Sequence, residues 1–160
     1  MATLLKNLSD YDFSKIPNAK KMRFGIVVSE WNDQITMALC KGAVETLMAH
    51  GANEGNIEII YVPGSFELSY GSQILAQRAD IDAVIALGCV IQGETRHFDF
   101  ICQGVAQGIT SVSLKYNKPV IFGVLTTNTQ QQALDRAGGK HGNKGIEAAV
   151  TAIKMVALTQ

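Results

Sequence analysis

Four short runs of this chain are apolar almost without interruption: residues 23–29 (RFGIVVS), 57–62 (IEIIYV), 82–87 (DAVIAL) and 119–127 (PVIFGVLTT). Runs of that length, with little alternation of polar positions, predict strands covered on both faces. Between them the apolar residues recur at helical spacing. Ile35, Leu39, Ala43 and Leu47 form one such stripe, and Leu68 and Leu75 a second. Phe98, Ile101, Cys102, Val105, Ile109 and Val112 form a third, and Ile146, Ala149, Val150, Ile153 and Ala157 a last one. Punctuation residues fall between the elements. Asn32 or Asp33 is placed to cap the first helix and Gly51 to end it. Pro63-Gly64 turns the chain, Ser65 caps the second helix, and Glu67 falls in its first turn. Thr129 caps a short helix through Arg136, residues 138–143 break it, and the last helix starts at about Lys144. The order is β-α-β-α-β-α-β-α. This predicts a three-layer α/β sandwich, a four-stranded parallel sheet flanked by helices and joined by right-handed crossovers. Residues 1–160 read as a single domain without repeats, and residues 1–22, mixed in character and holding Pro17, read as an arm ordered against a neighbouring subunit.

Composition narrows the function classes. The chain has 160 residues, 47% hydrophobic and 18% charged, which suits one folded domain with a full core. Lys+Arg and Asp+Glu are 14 each, so the formal net charge is zero and nothing draws the chain as a whole to nucleic acid or an anionic membrane. So low a charge fits a subunit that hides surface in a homo-oligomer. Cys40, Cys89 and Cys102 make no C-x-x-C and cannot all pair, which fits free thiols in a reducing compartment. No apolar run approaches a membrane span and no apolar leader opens the chain, so the expected location is cytoplasmic. His50, His97 and His141 lack metal-ligand spacing, and no dinucleotide fingerprint occurs, so a dinucleotide or metal enzyme is disfavoured.

Parallel α/β sheets bind ligands beyond the carboxyl ends of their strands, and each of the four ends here carries unusual residues. After the first comes Trp31, the only tryptophan, either a stacking platform for a flat heterocycle or a core residue. After the second come Ser65, Phe66 and Glu67, suited to hydroxyls and ring carbonyls or simply to capping a helix. After the third comes GCVIQGETRHFDF, residues 88–100. Gly88 and Gly93 have P-loop spacing, with Thr95 where its Ser/Thr falls, but Glu94 stands in place of the lysine. A carboxylate there would repel a triphosphate, which excludes an NTPase. A single small phosphate held by backbone N–H groups, with His97 moving protons beside it, stands level with an ordinary βα turn. The fourth run itself carries Phe122, and further on come Arg136, Lys140 and Lys144, an anion site or solvated surface.

Together VPGSFEL, ALGCVIQGETRHFDFI, PVIFGVLTT and QQALDRAGGKHGNKG, in that order, resemble the lumazine synthase family, and the likeness covers nearly everything after Met22. The resemblance implies a flavodoxin-like strand order. It also implies a transferase that joins 5-amino-6-(D-ribitylamino)uracil and 3,4-dihydroxy-2-butanone 4-phosphate into 6,7-dimethyl-8-ribityllumazine, the penultimate step to riboflavin, without a cofactor. On that resemblance Trp31, where many members have Phe, stacks on the pyrimidine. Ser65, Phe66 and Glu67 hold this substrate, Glu67 through the ribityl hydroxyls, and Cys89, Val90 and Ile91 line the pocket beside the ring. Glu94 and Thr95, through the N–H groups of their turn, hold the phosphate, and His97 transfers protons. Phe122 and Arg136 arrive from the adjacent subunit, Arg136 on the phosphate with Lys144 assisting. The family forms pentamers, often assembled into an icosahedral shell of about sixty subunits. The short 138–143 segment resembles the shell formers, and riboflavin synthase is a further partner to test. Gln92, where Arg or Lys is common, and Arg96, where a small residue is common, depart from the pattern and bear on phosphate affinity. Two other readings compete: a non-catalytic flavin- or lumazine-binding shell protein, and a flavodoxin-like electron carrier, for which residues 29–33 supply too few phosphate-binding groups.

Overall fold

β1 (Phe24–Ser29), β2 (Ile57–Val62), β3 (Ala83–Ile91) and β4 (Val120–Thr127) form one parallel sheet in the order β2-β1-β3-β4. They are connected through α1 (Asp33–Ala49), α2 (Leu68–Ala76) and α3 (His97–Tyr116), and β4 is followed by α4 (Gln130–Leu134) and α5 (Lys144–Ala157). The parallel sandwich is the one the apolar runs predict, and its strand order is the flavodoxin-like one that the resemblance implies. The computed structural model describes residues 7–158.

Strand alternation divides the core in two. Phe24, Ile26 and Val28 of β1, with Ile85 and Leu87 of β3, face Leu39 and Leu47 of α1 and Ile153 of α5. Val27, Val84 and Ala86 face the opposite layer, Leu68 and Leu75 of α2 and Val105 and Ile109 of α3. Each large apolar side chain fully buried in this way contributes roughly 1.5–3 kcal/mol. The inner stripes predicted for α1 and α2 are buried throughout, and Gly51 ends the α1 segment at φ 97°. The ends of two other stripes are looser. Phe98, Ile101 and Cys102 of α3, and Ile146 and Ala157 of α5, are only partly buried. β2 is an edge strand, and Ile59 and Tyr61 remain exposed on it.

Three expectations change. The third strand runs four residues beyond Leu87, because Gly88, Cys89, Val90 and Ile91 pair with Val124, Leu125, Thr126 and Thr127 of β4. Gly88 is therefore a strand residue and not part of the turn. Residues 138–143 do more than break a helix: β5 (Ala137–Gly139) and β6 (Gly142–Asn143) form a small antiparallel hairpin, with Gly138 and Gly142 at positive φ. Residues 7–22, expected to be ordered only against a neighbour, pack on their own chain. Leu8 N–H donates to the His141 carbonyl at 2.8 Å, Ala19 N–H to the His50 carbonyl at 2.8 Å, and Ala19 and Met22 are buried. His50, itself buried at the end of α1, stacks on Phe13 with ring centroids 4.1 Å apart, and its Nε2 lies 3.2 Å from the Tyr11 hydroxyl. Residues 1–6 of the expected arm lie outside the described residues.

Candidate functional site

The carboxyl ends of β1, β2 and β3 open into one cleft of about 640 Å³. Its lining includes Trp31, Ser65, Phe66, Glu67, Cys89, Val90, Ile91 and His97, which are eight of the residues singled out in the sequence. Trp31 is 73% exposed, so the core alternative for the indole is wrong. Phe66 is 55% exposed at the same mouth. Two exposed flat rings beside polar groups make this mouth the candidate ligand site.

The polar members are placed by backbone geometry. Ser65 is buried, and its hydroxyl donates to the Cys89 carbonyl at 3.4 Å instead of capping α2. Glu67 precedes α2 at the N-cap position and makes no side-chain cap bond. Gly88 permits this packing. A Cβ there would stand 2.7 Å from Leu68 Cδ1 and 2.7 Å from Ser65 Oγ, so a larger residue would displace both side chains. Cys89 is 1% exposed, and burial pushes its thiol up to about 12. His97 opens α3, and its N–H donates to Thr95 Oγ1 at 3.3 Å.

The other named residues lie elsewhere. Glu94 and Thr95 are exposed in the turn between β3 and α3, outside the cleft lining. Phe122, Arg136 and Lys144 line a second cleft of about 340 Å³ beside β4. Arg136 Nη1 donates to the Gln132 carbonyl at 2.9 Å, and Lys144 Nζ pairs with Glu147 at 2.6 Å. Three further residues line the first cleft: Asn32, Gly64 and Ile101. Asn32 reads from sequence as a helix cap only, because its partner is remote in the chain. Its side chain makes no capping bond and instead donates to the Cys89 carbonyl at 2.9 Å. Among the described residues no three metal-ligating side chains cluster, and no helix is long and apolar enough to cross a membrane.

Fold and cleft together define a flavodoxin-like α/β protein with its candidate site at the carboxyl ends of parallel strands. Residues 21–160 match the family model described as 6,7-dimethyl-8-ribityllumazine synthase. Curated relatives bearing that name include one from Cytophaga hutchinsonii, 63% identical and covering 99% of both chains. Another from Porphyromonas gingivalis is 59% identical over 99% of this chain and 98% of its own, and one from Parabacteroides distasonis is 58% identical over 98% of each. The chain belongs to the 6,7-dimethyl-8-ribityllumazine synthase family.

Proposed function

We propose that this protein condenses 5-amino-6-(D-ribitylamino)uracil with 3,4-dihydroxy-2-butanone 4-phosphate to give 6,7-dimethyl-8-ribityllumazine. The observation that carries the reading is the gathering of Trp31, Ser65, Phe66, Glu67 and His97 in one cleft of a chain 58–63% identical to relatives bearing that enzyme's name. The pyrimidine stacks on Trp31 beside Cys89, Val90 and Ile91, and Ser65, Phe66 and Glu67 receive its polar groups. The amine adds to the ketone and water leaves. Phosphate is then eliminated, and the second amine closes the ring with loss of another water. Each step moves a proton near neutral pH, the role assigned to His97. Holding the two reactants together supplies up to roughly 7–11 kcal/mol, so few reactive groups are needed.

The phosphate rests at the Glu94–Thr95 turn, bound by its N–H groups with the Glu94 carboxylate turned outward. Arg136, assisted by Lys144, and the ring of Phe122 come from an adjacent subunit. The separation of these three from His97 within one chain supports a shared site. The short hairpin at 137–143 supports pentamers assembled into a closed icosahedral shell, with riboflavin synthase as a partner for the product. Three free cysteines support a cytoplasmic location.

Mixing both substrates with the purified protein and following lumazine absorbance and fluorescence tests the reaction. Product formation is the expected result, and a bound yellow ligand without turnover would overturn it. Native mass spectrometry tests the assembly.

A further inference from the structure

Asn32 is one of two non-glycine residues with positive φ among the described residues, at φ 62° and ψ 44°. The other, Asn117, ends α3, where the left-handed conformation is commonplace. Asn32 instead precedes α1, where an asparagine ordinarily accepts a bond from the first helical turn. It makes no such bond. Its Nδ2 reaches across to the Cys89 carbonyl, a residue 57 positions away.

The sheet explains the partner. β1 pairs with β3 only as far as Val28 and Leu87, whereas β3 continues alongside β4 to Ile91. On its β1 side the projecting end of β3 has no strand neighbour. A buried carbonyl needs a donor, and Cys89 receives two, from Asn32 and from Ser65. On its other side the same corner is tied to the end of β2. Glu30 N–H donates to the Val62 carbonyl at 2.8 Å, and Trp31 N–H to the Pro63 carbonyl at 3.1 Å. Trp31 has little packing of its own, being 73% exposed. Its place is therefore set by its backbone, and that backbone is fixed by Asn32 on one flank and by β2 on the other.

We propose that Asn32 is a positioning residue: its left-handed turn and its bond to the Cys89 carbonyl hold Trp31 as the flat wall of the cleft. The role assigned to that wall rests on the pyrimidine-binding reading above.

Because Trp31 is the only tryptophan, its fluorescence reports on this corner directly. Asn32→Gly keeps the left-handed turn and removes the bond. Asn32→Asp keeps the shape but sets a carboxylate oxygen against the Cys89 carbonyl. In ligand-free protein both variants should lower Trp31 anisotropy and raise its quenching by iodide. Both should raise KM for the pyrimidine roughly three- to tenfold, the size of one lost hydrogen bond, with kcat and KM for the butanone phosphate within twofold of the parent. Unchanged Trp31 anisotropy and quenching in both variants would overturn the proposal, even if KM rose, because Asn32 would then act on the ligand and not on the indole. A looser Trp31 with pyrimidine KM unchanged would overturn it as well. If the parent protein proved inactive, the fluorescence measurements would still judge the role of Asn32, while the reaction assigned above would be the part that failed.

Discussion

His97 and Arg136 of one chain open onto different clefts. His97 lines the hollow at the ends of β1, β2 and β3, and Arg136 lines the one beside β4 with Phe122 and Lys144. If a working site takes His97 from one subunit and Arg136 from the next, two defective chains complement each other. Oligomers reassembled from equal parts of His97→Ala and Arg136→Ala should regain roughly a quarter of parental activity at subsaturating butanone phosphate, the fraction of interfaces that bring both intact residues together. No recovery above the separate variants would sink the shared site.

Turnover by His97→Ala should fall by on the order of a hundredfold without vanishing, the low end for a single proton-transfer group. The residual rate comes from holding the reactants together, which the substitution leaves in place. Steady-state kcat measures this, and an unchanged kcat would remove His97 from the chemistry.

Arg136→Ala should mainly weaken the phosphate-bearing substrate, because an arginine is suited to bind phosphate through two parallel hydrogen bonds. KM for the butanone phosphate should rise at least tenfold while KM for the pyrimidine holds. Equal changes in both would show that Arg136 supports the fold rather than the phosphate.

At Gly88, alanine would force Leu68 and Ser65 away from β3, since both lie 2.7 Å from the new Cβ. Overpacking of this kind costs about 1–3 kcal/mol. Gly88→Ala should melt several degrees lower and bind the pyrimidine less tightly, because Ser65 lines that cleft. Thermal denaturation and pyrimidine titration check the two effects separately.

His50 gives the fold a pH dependence. Burial lowers its proton affinity in the folded chain below the usual histidine value. The unfolded chain then binds the proton more readily, so stability is fully present above about pH 6.5 and declines as pH falls through the folded-state value. Urea midpoints should drop between pH 7.5 and 5.5 by more in the parent than in His50→Gln, which cannot titrate there. His97 and His141 are common to both proteins and cancel in the comparison. Equal drops would show that His50 is not the sensor.

What could be read in advance was local. The strand runs and the stripe Ile35, Leu39, Ala43, Leu47 repeat at the periods that sheets and helices impose, so neighbours in sequence reveal them. The extent of β3 could not be read this way. Gly88 looks like the start of a turn until β4, more than thirty residues on, supplies partners for Gly88 to Ile91. The hairpin at 137–143 was hidden for a similar reason: its glycines permit positive φ but do not announce pairing. In the site, single residue types left each strand end ambiguous. Only the order of four motifs pointed to a family, and only the fold brought eight side chains into one hollow. Asn32 escaped because its partner is 57 residues distant.

The thiol of Cys89 carries a chemical consequence. Thiolate is the form that peroxide oxidises and alkylating reagents capture, and burial, by raising the proton affinity of this sulfur, disfavours that form. Burial that leaves this thiol 1% exposed and favours its protonated form works against oxidation and cysteine-directed alkylation at this stretch of wall.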